Sequence, residues 1–385
     1  MWGAYIGGVT VFSWVKIRDG HDNFFTPMRL FFAILVVIGH AFVVAGGDPI
    51  FEPRIFLDYT PSYIAVNLFF IASGFLVTKS MLFREDITEY SSARILRIFP
   101  ALFIHILFVM FIIGPWVTNL PLKDFLTDPA LLAQPFLVLS FFETNMVMPG
   151  AFETNHEQLG SAALWTLRYE VLAYIGTAIA FSLGLLKRNW MILGQFIAFA
   201  LLWPIAHLTG LYDKVPGTVQ AILRFGLCYG LGAAAFAYQD KLKFHILGVP
   251  LLALATFAVG GTIAAEIMLA LLLGYIVFWM SYVKIPALNP LKKLEDTSYG
   301  IYIYHWVILQ TLAYFMPWTN EVQLILFGLP ISMVLALASW RLIEKPMLKR
   351  KKSFAQSLSG IFGKRAKTVD IFPACLLYTS DAADD

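Results

Sequence analysis

The feature that constrains this chain most is the recurrence of apolar runs about 20 residues long. That is the length an α-helix needs to cross a hydrocarbon core about 30 Å thick. Such runs fall near residues 29–46, 63–83, 99–117, 161–185, 190–210, 217–239, 243–261, 263–283, 298–316 and 322–344. Short polar or Gly/Pro connections separate most of them, and only Gly260 and Gly261 part the seventh from the eighth. The stretch 130–142 is shorter and carries Gln134 and Pro135, so it reads as re-entrant or interfacial. Composition agrees: 59% of residues are hydrophobic and 14% charged, against about 45–50% and about 25% in soluble domains. The expected fold is an all-α integral membrane protein of about ten transmembrane helices.

Positive charge gives the direction, because Lys and Arg collect on the cytoplasmic side. With the N-terminus inside, the inner segments hold Lys16 and Arg18, then Lys79, Arg84, Arg94 and Arg97, then Lys187, Arg188, Lys241 and Lys243. Lys284, Lys292 and Lys293 follow, and the tail adds Lys345, Lys349, Arg350, Lys351, Lys352, Lys364, Arg365 and Lys367. The outer loops hold only Arg54, Lys123 and Lys214. Ten spans with both termini inside produce this asymmetry, and one span fewer would spoil it. The single long outer segment, 118–160, is rich in Asp, Glu, Asn and Pro and is the natural contact for an external substrate.

Two cysteines, Cys228 and Cys375, exclude a disulfide framework or a zinc site, and Cys228 reads as a small core residue. Residues 1–28 contain Lys16, Arg18, Asp19, His21 and Asp22 and show no cleavable signal pattern. The domain reading is a cytoplasmic segment 1–24, a membrane domain 25–348 and a basic cytoplasmic tail 349–374. The closing CLLYTSDAADD, 375–385, reads as a non-native, adapter-like extension.

Ionisable residues inside spans cost several kcal/mol and mark a site by default. Arg29 and His40 are eleven residues apart on span one, which puts them on one helix face about 16 Å apart along the axis. The plainer reading is a snorkelling Arg and a His satisfied by a neighbouring helix. Span two carries Asn67 and Ser73-Gly74, which alone would suggest packing through small residues. Arg94 and Arg97 lie at i,i+3 at the cytoplasmic boundary, a pair suited to phosphates as well as to ordinary inside charge. Glu170 lies deep in span four and requires a partner from another span, since Arg168 points away from it. Span nine offers Tyr299, Tyr302, Tyr304 and His305, and Arg341 with Glu344 reads as an i,i+3 end-lock. Arg224 has no evident role.

The chain has no P-loop, no HExxH, no GxSxG, no CxxC and no pattern for nucleic acid. Gly230-Leu-Gly232 lies within a span, so with Gly226 it reads as a packing face rather than a dinucleotide loop.

Taken together, the Arg29-x10-His40 span, NLFFIASGF in span two, Arg94-x-x-Arg97-x-x-Pro100, LWTLRYE in span four, SYGIYIYH in span nine and the closing EKP resemble the membrane-bound acyltransferase-3 family. The resemblance runs in order from about residue 24 to 348. Two departures stand out: Thr166 where the family often has Ser, and Arg168 where it often has a small or polar residue. Many relatives carry a further SGNH-type hydrolase domain, for which no room remains here.

The resemblance implies an O-acyltransferase of the bacterial inner membrane, with an acyl-CoA donor (acetyl-CoA first), no tightly bound cofactor, and a glycan hydroxyl as acceptor. It implies His40 and Glu170 as catalytic residues, Arg29, Arg94 and Arg97 as donor-binding, and Asn67, Ser73, Tyr299 and His305 as supporting. His40 would act as a general base or carry the acyl group covalently. Glu170 would orient His40 or bind the sugar, and Trp116 and Phe152 are candidate sugar-stacking aromatics. The rival reading is a secondary transporter using buried His and Glu; the lack of an internal repeat weighs against it.

Overall fold

The computed structural model describes residues 14–17 and 23–362, with side chains to 359. Arg18, Asp19, His21, Asp22, Lys364, Arg365, Lys367, Cys375 and the 375–385 extension lie outside the described residues. The described chain is predominantly helical, with almost no sheet. Its principal helices are α1 (Phe25–Gly46), α2 (Pro61–Arg84), α3 (Ile87–Val117), α4 (Pro129–Leu139), α5 (Trp165–Ser182), α6 (Asn189–Leu208), α7 (Gly217–Ala237), α8 (Gly248–Ala258), α9 (Ala264–Tyr282), α10 (Ser298–Phe315), α11 (Glu321–Lys349) and α12 (Lys351–Phe362). A two-stranded antiparallel pair, Val15–Lys16 with Lys243–Phe244, ties the N-terminal segment to the connection after α7.

Local signals mark several ends. Thr60 accepts from the Tyr63 amide and Pro61 opens α2. Asp86 accepts from the Glu89 amide at the start of α3. Asn320 and Gln323 form a reciprocal capping box at α11. Gly47, with φ of 81°, closes α1 in a conformation that other residues resist.

Among the described residues, seven helices are long and apolar enough to cross a membrane: α1, α2, α3, α6, α7, α9 and α11. The expected count of ten needs three more. Helices α5 and α10 have 18 residues each but are interrupted by polar side chains, Arg168 and Glu170 in one and the Tyr/His/Gln series in the other. The run 243–261 forms only the 11-residue α8, about 16 Å long, roughly half a hydrocarbon core. The stretch 130–142 forms α4, also 11 residues and also short of a span.

Helix α10 is the centre of the bundle: every residue from Ser298 to Gln310 is buried. Burial on all sides explains how a polar helix lies at membrane depth, since its polar groups meet protein rather than lipid. It packs on α1 and α11, while α2 packs on α1 and α7.

The α2–α7 contact depends on glycine. A Cβ on Gly74 would lie 2.0 Å from the Tyr229 carbonyl oxygen, and one on Gly232 would lie 2.0 Å from that of Ile71. Backbones this close require small residues, so SGF and the Gly230–Gly232 stretch are packing faces. Cys228, also on α7, is fully buried. Gly74→Leu and Gly232→Leu each force the two helices apart. Each is expected to lower stability by about 1–3 kcal/mol or more, measured as a lower unfolding temperature of the detergent-solubilised protein.

Candidate functional site

Helices α1, α2, α3, α5 and α10 enclose a cavity of about 1420 Å³, open mouth included. Its lining descends α2 from Lys79 through Ser73 and Phe69 to Val66, a depth of about 20 Å at 1.5 Å per residue. Arg29, Arg94, Arg97, Glu170 and Tyr299 share it. The structure therefore brings together five of the residues singled out in the sequence, with Ser73 as a sixth. Asn67 and His40 are not in the lining, and His305 is not either.

The three arginines are not equivalent. Arg29 and Arg97 both bind the buried Asp296 carboxylate, Arg97 at 2.6 Å, and Arg97 also reaches Glu344 at 3.5 Å. Ser298 donates to Asp296 at 2.6 Å and Ser339 to Glu344 at 3.0 Å. Two guanidinium groups thus face two carboxyl groups. Asp296 lies in the connection ahead of α10, outside the spans. Burial alone would raise its carboxyl; the Arg29 and Arg97 guanidinium groups outweigh this and bring it down to about 2.

Arg94 differs. It reaches the Ser80 hydroxyl at 3.4 Å and lies 5.6 Å from the Tyr174 ring centroid. Its Nε is buried with no hydrogen-bond partner, and no carboxylate pairs with it among the described residues. It is the arginine of this wall whose charge is left for an anion.

Glu170 was expected to need a partner from another span. Its hydrogen bond is instead with the Tyr174 hydroxyl, four residues on in the same helix, where i and i+4 share a face. The expected Arg341–Glu344 lock is also absent. Residues Trp340–Glu344 form a π-helical turn, and in that wider turn positions three apart no longer stack. The bulge aims Glu344 inward at Arg97, while Arg341 pairs with Glu295 at 2.9 Å. Asn67 belongs to a separate cluster: it accepts from Arg224 at 2.8 Å and donates to Glu266, to which Tyr63 also donates at 2.8 Å. This gives Arg224 its partner. Arg168 donates to the Phe141 and Phe142 carbonyls and so holds the outer segment. Phe152 is fully buried and unavailable for stacking on a sugar, whereas Trp116 is 73% exposed.

At the deep end, the Tyr302 hydroxyl meets the Ala163 carbonyl at 2.6 Å and the Thr166 hydroxyl. The Phe69 ring stands edge-on to Tyr302, centroids 6.2 Å apart, and to Phe32 at 5.5 Å. Beyond this layer lies a pair of histidines. His40 Nδ1 and His305 Nε2 are 2.8 Å apart. His305 Nδ1 lies 2.8 Å from the Tyr302 carbonyl and 3.2 Å from that of Ile301.

Carbonyls only accept, so the neutral His305 carries its proton on Nδ1 and offers a lone pair at Nε2. His40 Nδ1 must then donate to it. The basic lone pair of His40 is left on Nε2, which has no hydrogen-bond partner among the described residues. Trp306 stands edge-on to His40 at 5.1 Å and donates to the Leu159 carbonyl. Asn155 donates to Gln310, which donates to the Glu157 carbonyl, so the end of the outer segment is strapped over this side of α10.

Sequence reasoning missed Asp296, Glu344 as an inward ligand, and Tyr302 as a cross-helix pin. An acidic residue two positions ahead of SYGIYIYH was the available signal for the first. It also missed His105, fully buried against Tyr304 with neither ring nitrogen partnered.

The profile of an acyltransferase domain matches residues 23–341. Nodulation protein 10 of Rhizobium leguminosarum bv. viciae is 30% identical over 362 residues, covering 87% of this chain and 95% of that protein. The O-acetyl transferase of Shigella phage Sf6 is 28% identical over 338 residues, covering 86% and 97%. No solved structure matches the chain.

Removing one partner of a buried ion pair costs about 3–5 kcal/mol because a charge is stranded. Asp296→Ala strands two guanidinium groups and is expected to destabilise by at least that range. Arg94→Ala, which breaks no ion pair, is expected to stay within about 1 kcal/mol of the parent. Thermal unfolding of both proteins in detergent checks the contrast.

Proposed function

The chain belongs to the acyltransferase-3 family, and from that premise we propose that it moves an acyl group, acetyl first, from acyl-coenzyme A to a hydroxyl of an envelope glycan. The reading is supported most by one juxtaposition: a deep cavity with an unpaired arginine at its basic end and, one layer beyond its floor, a histidine with a defined basic nitrogen. The transporter reading falls with membership in an enzyme family.

The basic end of the bundle faces the cytoplasm by the positive-inside rule, where the donor is made. Arg94 binds the phosphates by charge-assisted hydrogen bonds. Arg29 and Arg97, held by Asp296 and Glu344, shape the wall rather than attract the anion. The apolar depth past Ser73 receives the pantetheine arm and brings the thioester to the layer of Tyr302 and Phe69. Glu170 and Tyr299 border that arm.

His40 Nε2 takes the proton of the acceptor hydroxyl as its oxygen attacks the thioester carbon. The new C–O bond forms, the C–S bond breaks, and the proton passes to the coenzyme A thiolate. His305 holds His40 in the required tautomer. The glycan approaches from the outer side, past the segment 153–159. The name of the phage relative supports O-acetylation, and a bacterial inner membrane is the matching location.

The test is acetyl transfer in proteoliposomes supplied with acetyl-CoA, with mass spectrometry of envelope glycans from cells with and without the protein. Acetyl-CoA-dependent glycan acetylation is expected, and identical glycans in both cell types would refute the reading. His40→Ala is expected to lose about 10²–10⁴-fold in rate while still folding. Arg94→Ala is expected to raise the KM for acetyl-CoA about tenfold or more, with kcat largely kept.

A further inference from the structure

The catalytic scheme leaves one arrangement unused: neither His40 nor His305 lines the donor cavity. Along α1, Arg29 lines the cavity, Phe32 stands in the layer, and His40 lies beyond. Along α10 the order is Tyr299, Tyr302, His305. On α2, running the other way, Ser73 lines the cavity, Phe69 lines it at the level of the layer, and Val66, one turn on, is the last α2 residue of the lining. On α5, Glu170 and Thr166 repeat that order. Four helices thus place one side chain each at the same level, between the donor side and the base.

The layer is built rather than incidental. Tyr302 is 7% exposed and its hydroxyl is held from α5 by both the Ala163 carbonyl and Thr166. Its single proton goes to the Ala163 carbonyl, which can only accept, so Thr166 donates to the phenol oxygen. Tyr302 therefore has no proton left for a substrate. Its backbone carbonyl accepts from His305 Nδ1, so the same residue sets the tautomer of the pair and closes the cavity floor.

Resting on the acyl-transfer reading, we propose that the Tyr302–Thr166 bridge, backed by Phe69 and Phe32, is a partition that selects a glycan hydroxyl over water as acceptor. While it is closed, the thioester below is kept from water reaching His40 on the outer side. Excluding water from a reactive group until the correct partner is bound prevents the hydrolytic side reaction. In that reaction the water oxygen forms the C–O bond, the C–S bond breaks, and acetate and the free thiol of coenzyme A leave. Opening the bridge admits the thioester to the base.

Tyr302→Phe keeps the ring and removes both ties, and Thr166→Val removes one tie with little change of shape. Reconstituted protein is given acetyl-CoA without acceptor, and free thiol is followed; the same preparations are then given glycan acceptor. Wild type is expected to release thiol slowly alone and rapidly with acceptor. Tyr302→Phe is expected to raise acceptor-independent release about tenfold and Thr166→Val about threefold, from the net worth of one or two hydrogen bonds. Adding His40→Ala to either variant is expected to abolish that release.

A folded Tyr302→Phe or Thr166→Val protein that transfers normally with unchanged thiol release would overturn the partition and leave the acyltransferase reading intact. Loss of both activities in a folded variant would also overturn it, because the residue would then act on substrate directly. A wild-type protein that neither transfers nor cleaves acetyl-CoA overturns the function and the partition with it.

Discussion

Two guanidinium and two carboxyl groups at the basic end of the bundle hold one another, and the position of the site follows from them. Arg29 comes from α1, Arg97 from α3, Asp296 from the lead-in to α10 and Glu344 from the π-helical turn of α11. None of these charges is stable alone at that depth, and each is satisfied only when the four segments meet. The cluster therefore registers α10 against its neighbours. That registration sets Tyr299 on the cavity wall, Tyr302 on its floor and His305 against His40.

The same balance leaves Arg94 distinct. Two arginines three residues apart look alike in a sequence, yet one is spent on Asp296 and Glu344 and the other keeps a buried, unpartnered Nε. A buried donor without a partner costs free energy, which an anion bound there would return. The outer end of the site follows a parallel logic with neutral groups. Backbone carbonyls of α10 fix the proton on His305 Nδ1, His305 fixes the proton on His40, and the lone pair of His40 Nε2 is defined without any carboxylate touching it.

Much of this was legible before any coordinates. Arg29 and His40 share a face in the sequence, and in the structure both are answered from α10 and its lead-in. Six of the singled-out residues line one cavity. The SGF and Gly230–Gly232 stretches pack backbone to backbone as small residues in spans should. Most of what was not legible depended on partners far away in sequence. Glu170 is the exception, because its partner Tyr174 stands one turn on in its own helix. Glu344 turned from Arg341 to Arg97 because a π-helical turn changed which face it occupied, and Asn67 joined Arg224 and Glu266 in a different cluster.

By itself, then, the sequence determined the class of structure and the cast of polar residues. Apolar runs of fixed length dictate helices wherever lipid removes water from the backbone, and buried ionisable groups must have partners. Which partner each one takes was decided only by tertiary structure. So were the division between structural and free arginines, the tautomer of His40, and the layer between the cavity and the histidines. Most of these depend on distances of about 3 Å between residues a hundred or more positions apart, as in Arg97–Asp296 and His40–His305, and helical periodicity relates only residues a few positions apart on one segment.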